Sequence, residues 1–147
     1  MRTLLAAIAA TLTFILFLPS ANAEATWLTD YKAGLAQAKS QKKMVLLDFT
    51  GSDWCPDCAL LERQVFSQKE FSDYAASNLV LVRLDFPHKK ELPRALAAQN
   101  EMLSDAYRVE AFPTLIVLNP KGHPVAELLN PGNPKDFVAE LKKLKGK

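Results

Sequence analysis

Two kinds of hydrophobic pattern follow one another along most of this chain. The runs at 44–49 and 79–86 are almost wholly apolar, as in strands that are buried on both faces. Between such runs, apolar residues recur three or four positions apart, which is the spacing of a helix with one buried face. The predicted elements, in chain order, are a helix at 27–43, a strand at 44–49, a helix that opens at 55–58, a helix from 67, a strand at 79–86, a helix at 94–107, strands at 114–118 and 125–129, and a helix from 133 to about 143.

Residues at three of the predicted helix starts can satisfy free backbone groups. Thr29 is the expected N-cap of the first helix, and Ser67-Gln68-Lys69-Glu70 has the spacing of a capping box. Asn133 followed by Pro134 gives the last helix a cap and a proline in its first turn. These signals support the predicted boundaries.

The order of the elements predicts the fold class. The helix at 94–107 is expected to be interrupted near Asn100, which leaves the order unchanged. Strands that are separated by helices require parallel crossovers, whereas the last two strands are joined by a short segment, 119–124, that favours a tight turn. The sequence therefore predicts an α/β protein with a mixed central sheet and helices on both faces.

The first 23 residues have the three parts of a secretory signal. A basic start at Arg2 precedes an apolar stretch at 4–18, and small residues follow at 21–23. Cleavage before Glu24 leaves one predicted domain at 24–147, which we expect to be periplasmic or otherwise exported. An uncleaved anchor is the alternative, although the stretch is shorter than the roughly 20 residues of a membrane span.

Charge and cysteine content exclude several function classes. Without Arg2 the chain has 17 basic and 16 acidic residues, a balance that suggests neither nucleic acid nor an acidic surface as a partner. The domain is large enough for an ordinary core without disulfide staples. Its two cysteines, Cys55 and Cys58, would close too small a loop to restrain the unfolded chain much. Reactivity with other thiols and disulfides therefore explains the pair better than stability does.

Three segments of the chain together form a specific combination: Leu46-Leu47-Asp48-Phe49, Trp54-Cys55-Pro56-Asp57-Cys58 and Ala111-Phe112-Pro113-Thr114-Leu115. They resemble the thioredoxin superfamily, and the resemblance extends over nearly all of the predicted domain. Within the superfamily, the chain is most similar to small exported bacterial thioredoxin-like proteins and to the periplasmic thioredoxin-like domain of the membrane thiol:disulfide interchange protein. The resemblance implies a thioredoxin fold and a thiol:disulfide oxidoreductase, which we expect to be a monomer without a cofactor.

The resemblance gives the two cysteines different roles. Cys55 is the expected nucleophile, since its sulfur would lie, partly exposed, at the positive end of a helix. Cys58, one turn further along and beneath it, would resolve the mixed disulfide. Pro56 fixes the helix start, whereas carboxylates at Asp53 and Asp57 oppose thiolate formation nearby. A less stabilised thiolate makes the dithiol a better electron donor, so the sequence favours a reductase.

Other residues are expected around the pair. Asp48 interrupts an apolar strand, so its pKa should be raised, and by resemblance it is a candidate acceptor for the proton of Cys58. The alternative is a strand-end aspartate bonded to water or backbone. Pro113 is similar to the cis-proline that faces the motif in this fold, and Trp54 is either part of a substrate platform or plain core. The expected substrate-binding platform consists of Trp54, Phe112, Pro113 and the loop Asn130-Pro131-Gly132.

Two other functions compete with disulfide reduction. A zinc site would have to combine both cysteines with His88 and His123, but these histidines lie in separate loops without the paired spacing of zinc ligands. A non-catalytic binding module or chaperone would use only the shape and the apolar platform. The expected partners are protein thiols and disulfides, together with a membrane electron donor of the thiol:disulfide interchange type.

Overall fold

The computed structural model describes residues 25–129 and 132–145. The predicted signal at 1–23 lies outside the described residues, as do Asn130 and Pro131 of the predicted platform loop. None of the described helices is long and apolar enough to cross a bilayer.

The described residues form five strands, five α-helices and one π-helical turn. In chain order, the elements are β1 (Trp27–Leu28), α1 (Tyr31–Gln41), β2 (Met44–Thr50), α2 (Pro56–Leu61), the π-helical turn (Glu62–Phe66), α3 (Lys69–Asn78), β3 (Leu79–Asp85), α4 (Arg94–Tyr107), β4 (Thr114–Leu118), β5 (Pro124–Leu128) and α5 (Pro134–Leu144).

The strands form one mixed sheet in the order β1-β3-β2-β4-β5. The first three are parallel to one another, β4 is antiparallel to β2, and β5 is antiparallel to β4. All seven residues of β2 are buried, as expected for a central strand with both faces covered. The predicted α/β class with a mixed sheet is confirmed.

Two hydrophobic clusters cover the two faces of the sheet. One contains Phe66 of the π-helical turn, Phe71 of α3 and Phe137 of α5. The other contains Ala38 of α1 and Leu103 of α4. Helices therefore lie on both faces, as predicted, and β2 between them ends at the cysteine pair.

The first predicted helix is wrong at its start. Trp27 and Leu28 form the edge strand β1, paired with Leu81 and Val82 of β3. The helix begins only at Tyr31, and its N-cap is Asp30 rather than Thr29. The carboxylate of Asp30 accepts a hydrogen bond from the N–H of Ala33 at 2.9 Å. Strand pairing over a long sequence separation overrode a local helical pattern.

The capping box predicted at Ser67 does not form. Five residues after α2 take a π-helical turn, and α3 begins only at Lys69, with Gln68 as its N-cap and no side-chain cap. The hydroxyl of Ser67 is instead 3.3 Å from the carboxylate of Glu62. The inserted turn moved the serine away from the start of the helix.

The expected interruption of α4 near Asn100 is also wrong, since one helix runs through this position. Asn100 is 1% exposed, and its side-chain amide donates to the backbone carbonyl of Asp85 at 2.9 Å. The buried amide therefore joins α4 to the end of β3 rather than breaking the helix.

Candidate active site

Cys55 and Cys58 are joined by a disulfide where the turn after β2 enters α2. Cys55 is the N-cap of α2, and Pro56 occupies the first turn as the sequence predicts. The backbone N–H of Cys58 donates to the sulfur of Cys55 at 3.1 Å. In the reduced form, a donor at this place favours the thiolate of Cys55 over its thiol.

The pair is more covered than the sequence predicts. Both cysteines are 6% exposed, so burial does not distinguish the expected nucleophile from the expected resolving residue. The carbonyl oxygen of Phe112, in the loop before β4, lies 3.7 Å from the sulfur of Cys55. The prediction of a partly exposed sulfur is thus wrong for the disulfide form, because this loop lies against the pair.

Asp48 carries the most perturbed carboxyl of the site. It is 3% exposed, one of its oxygens has no hydrogen-bond partner, and the other lies 3.4 Å from Nε of Arg83. Burial raises the pKa of Asp48 to about 7, against the attraction of Arg83, and repulsion by Glu62 adds to the rise. The predicted rise is confirmed. Among the described residues, no backbone group bonds to the Asp48 side chain, so the backbone-bonded form of the alternative is not observed.

A cavity of about 270 Å³ connects this carboxyl with the cysteine pair, since both Asp48 and Cys58 line it. Arg83 and Glu62 line the same cavity and form an ion pair at 2.5 Å. The guanidinium of Arg83 also lies over the ring of Trp27, 4.4 Å from its centre. A carboxyl of raised pKa and a charge pair that influences it therefore border the cavity on which Cys58 lies.

Trp54 lies on the surface beside the pair, and its exposed fraction of 38% excludes the plain core alternative. Its indole N–H donates to the carbonyl of Phe86 at 2.7 Å, and its ring stacks on His88 with ring centres 4.5 Å apart. It meets Phe112 edge to face at 5.7 Å. Gly51 allows this position, because a Cβ there would lie 2.4 Å from the indole.

The described residues of the predicted platform line two different cavities. The Phe112–Pro113 peptide bond is cis. Pro113 and Gly132 line a cavity of about 340 Å³ against α2, whereas Trp54 and Phe112 line another one toward the loop after β3. The structure thus divides the predicted platform residues between two depressions.

Asp53 holds the loop after β3 against the cysteine motif. Its carboxylate accepts the backbone N–H groups of His88 at 2.9 Å and of Lys89 at 2.8 Å. The bond from His88, and then that from Lys89, lower the pKa of Asp53, which favours a charged carboxylate next to the motif. Asp57, between the cysteines, is exposed.

The histidines considered as zinc ligands lie apart. His88 stacks on Trp54, whereas His123 lies in the turn before β5. Within 25–129 and 132–145, no three His, Cys, Asp or Glu side chains are grouped as metal ligands would be.

Comparison with known proteins identifies the family. The profile of the Thioredoxin-like family matches residues 26–120, more than half of the chain. This chain belongs to the thioredoxin-like family. Its fold is accordingly the thioredoxin fold, and the resemblance stated from the sequence is confirmed.

Several thioredoxin-like relatives carry names that describe an activity. The disulfide bond reductase DsbH of Chlamydia pneumoniae is 33% identical over 125 residues, which cover 84% of this chain and 75% of the relative. A solved structure of a DsbH oxidoreductase superposes with a TM-score of 0.79 at 30% identity, covering 92% of this chain and 94% of that one. The thiol:disulfide interchange protein DsbD 2 of Pseudomonas aeruginosa is 34% identical over 109 residues, which cover 71% of this chain but only 17% of the relative.

Two residues of this thioredoxin-like site were missed by the sequence reasoning. Arg83 is the basic residue within the apolar run of β3, and it lies directly opposite Asp48 in the parallel register with β2. Glu62 follows Cys58 by four residues, one helical turn. The sequence signal for the contact between Asp48 and Arg83 was the presence of one opposite charge in each of two apolar runs that were predicted to be strands.

We expect Arg83→Met to raise the pKa of Asp48 further, by about one unit or more, because the variant removes the strongest influence that lowers it. The measurement is the side-chain carboxyl resonance of Asp48, followed by NMR against pH in the oxidised protein. Arg94→Met, at the exposed start of α4, is the control and should leave that titration unchanged. If the Asp48 titration midpoint were the same in Arg83→Met as in wild type, Arg83 would have no electrostatic influence on Asp48.

Proposed function

We propose that this protein is an exported reductase of protein disulfides that acts through Cys55 and Cys58 and receives its electrons from a membrane thiol:disulfide interchange protein. The general activity, thiol:disulfide oxidoreductase, follows from the family and from the relatives DsbH and DsbD 2. The observation that carries the proposal is the Cys55–Cys58 pair at the start of α2, with a carboxyl of pKa about 7 bordering the cavity beside Cys58. Export rests on the predicted signal at 1–23.

The first step forms a mixed disulfide. The thiolate of Cys55 attacks one sulfur of a substrate disulfide, so that a new S–S bond forms, the substrate bond breaks, and the released substrate thiolate takes a proton from solvent. The N–H of Cys58, 3.1 Å from the attacking sulfur, stabilises the thiolate beforehand. Pro113 presents no N–H, so an incoming extended segment would pair with the backbone of Phe112.

The second step releases the reduced substrate. The carboxylate of Asp48 accepts the proton of Cys58, and the resulting thiolate attacks the sulfur of Cys55. The mixed disulfide breaks, the second substrate sulfur leaves as a thiolate and takes a proton, and the Cys55–Cys58 disulfide forms. Two electrons have then passed from the protein to the substrate. A dithiol of the membrane donor returns two electrons and restores the reduced pair.

The reductive direction predicts a midpoint potential near the thioredoxin value of about −270 mV rather than about −120 mV. Asp53 is held charged beside the motif and Asp57 lies between the cysteines, and both carboxylates oppose the thiolate on which an oxidising pair depends. Equilibration of the purified protein with glutathione buffers measures the midpoint. A midpoint potential above roughly −170 mV would contradict a reductase and indicate an oxidase instead.

We expect Cys58→Ser to accumulate substrate proteins as mixed disulfides on Cys55, because the variant can complete only the first step. Expression in the native host, acid quenching and non-reducing electrophoresis would display the trapped species and allow their identification. The double variant Cys55→Ser, Cys58→Ser is the matched control and should trap nothing. An absence of trapped species in a Cys58→Ser variant that keeps full activity would overturn the division of roles.

A further inference from the structure

A second depression lies beside Trp54, the residue that precedes Cys55. It is a cavity of about 610 Å³ between Trp54, the loop after β3 and the start of α4. Phe112 belongs to its wall, and the carbonyl of Phe112 lies 3.7 Å from the sulfur of Cys55. Two wall residues, Trp54 and Phe112, thus lie next to Cys55, so a residue close in sequence to an attacked cysteine can reach this cavity. The apolar lining consists of Trp54, Phe86, Pro87, Leu92, Ala97 and Phe112.

The wall of the cavity is fixed by bonds that do not involve a ligand. The indole N–H of Trp54 is bonded to Phe86, and the carboxylate of Asp53 fixes the backbone at His88. From the other side, the buried amide of Asn100 is bonded to the carbonyl of Asp85. Because these bonds already order the loop after β3, binding of a side chain in the cavity has only a small entropic cost for ordering that loop.

The rim of the cavity carries an unbalanced negative charge. Lys90 belongs to the lining, but it is paired with Asp85 at 3.1 Å. Glu91 and Glu101 also belong to the lining and are exposed, and neither is paired with a basic side chain among the described residues. An apolar interior with an acidic rim is complementary to an apolar side chain that has a Lys or Arg next to it.

We propose that this cavity selects the substrate: it receives an apolar or aromatic side chain close in sequence to the attacked cysteine of a polypeptide, while a neighbouring Lys or Arg lies against Glu91 and Glu101. The inference rests on the proposed reductase function and adds a substrate class to it. Because the rim repels carboxylates, polypeptides with acidic residues beside the cysteine are poor substrates.

The test compares three disulfide-linked peptides that differ only in the two residues beside the cysteine, namely Phe-Lys, Phe-Glu and Ser-Lys. One series places these residues before the cysteine and another places them after it. In at least one series, at low salt, the protein should reduce Phe-Lys about tenfold faster in kcat/KM than Ser-Lys and about fivefold faster than Phe-Glu. Reduction of 2,2′-dithiodipyridine measures the reactivity of the pair separately.

Variants then separate the two parts of the cavity. The double variant Glu91→Gln, Glu101→Gln should remove most of the preference for Phe-Lys over Phe-Glu, with Glu140→Gln, at an exposed position of α5, as its control. Ala97→Leu, which fills the cavity from α4, should reduce the preference for Phe-Lys over Ser-Lys, whereas Ala98→Leu on the exposed side of the same helix should not. Thermal unfolding shows that each variant is folded.

The outcomes distinguish this inference from the function on which it rests. Equal kcat/KM for all peptides in both series, or preferences that both sets of variants leave unchanged, would overturn the selection of substrates by the cavity while leaving a reductase. If the protein reduced neither the peptides nor 2,2′-dithiodipyridine, the proposed reductase function itself would be wrong.

Discussion

Replacing Cys55 by serine should lower kcat/KM for the reduction of a protein disulfide at least about 1,000-fold. The serine hydroxyl is a far weaker nucleophile at neutral pH than a thiolate stabilised by the N–H of Cys58 at 3.1 Å. Turnover of a disulfide-bonded protein substrate, with electrons regenerated by a dithiol, measures the loss.

The control for this experiment is the stability of the variant. The Cys55–Cys58 disulfide spans a sequence separation of 3, so its absence releases little loop entropy in the unfolded chain. Neither Cys55→Ser nor the reduced wild-type protein contains this bond, so the two should unfold at nearly the same temperature. Undiminished function in a folded Cys55→Ser variant would favour the other reading of this shape, a binding module or chaperone that does not use its thiols.

The three inner strands of the sheet were predictable because burial on both faces gives a simple apolar pattern in the sequence. β2, β3 and β4 are continuous apolar runs, and the predicted bounds differ from the observed ones by at most one residue. The last helix was equally clear, since Asn133 caps it through a bond to the N–H of Asp136 and Pro134 occupies its first turn. Each of these signals acts within a few residues.

Elements that depend on distant partners were not predictable. β1 has two residues, and it is a strand only because Trp27 and Leu28 pair with β3 more than 50 positions later. The π-helical turn after α2 likewise has no simple sequence signature. It sets the position of Glu62, and because of it Ser67 contacts Glu62 instead of capping α3.

The candidate reacting groups of the site could be identified from the sequence, but their surroundings could not. Two cysteines three apart and one carboxylate in an apolar strand are local signals. The pairing of Arg83 with both Asp48 and Glu62 requires the register of two parallel strands. The cavity beside Trp54 requires the path of the loop after β3, which Asp53 fixes through two backbone bonds.

Asp48→Asn should change both the stability and the pH dependence of the protein, because the wild-type carboxyl is buried with a pKa of about 7 against 3.8 for an ordinary aspartate. Between these two values the folded protein holds a proton that the unfolded chain has released, so the contribution of Asp48 to stability is complete below pH 4 and is lost as the pH rises through 7. Asparagine does not titrate. Relative to wild type, the free energy of unfolding of the variant should therefore rise by on the order of 4 kcal/mol between pH 4 and pH 8.

Urea unfolding of the two oxidised proteins at both pH values measures this difference, and the remaining carboxyls cancel in the comparison. Asp105→Asn, an exposed carboxyl on α4, should show no such rise. A difference between Asp48→Asn and wild type that stayed constant from pH 4 to pH 8 would mean that the carboxyl titrates near its ordinary value and is charged at the start of every cycle.

The same substitution separates a burial effect from a role in the reaction. If Asp48 accepts the proton of Cys58, release of substrate from the mixed disulfide should accelerate in wild type as the pH rises through about 7, and Asp48→Asn should be slower by at least about 100-fold at pH 8. Stopped-flow measurement of substrate release from a preformed mixed disulfide isolates this step from the first attack. Equal rates and equal pH profiles would leave Asp48 as a destabilising buried charge whose proton takes no part in the exchange.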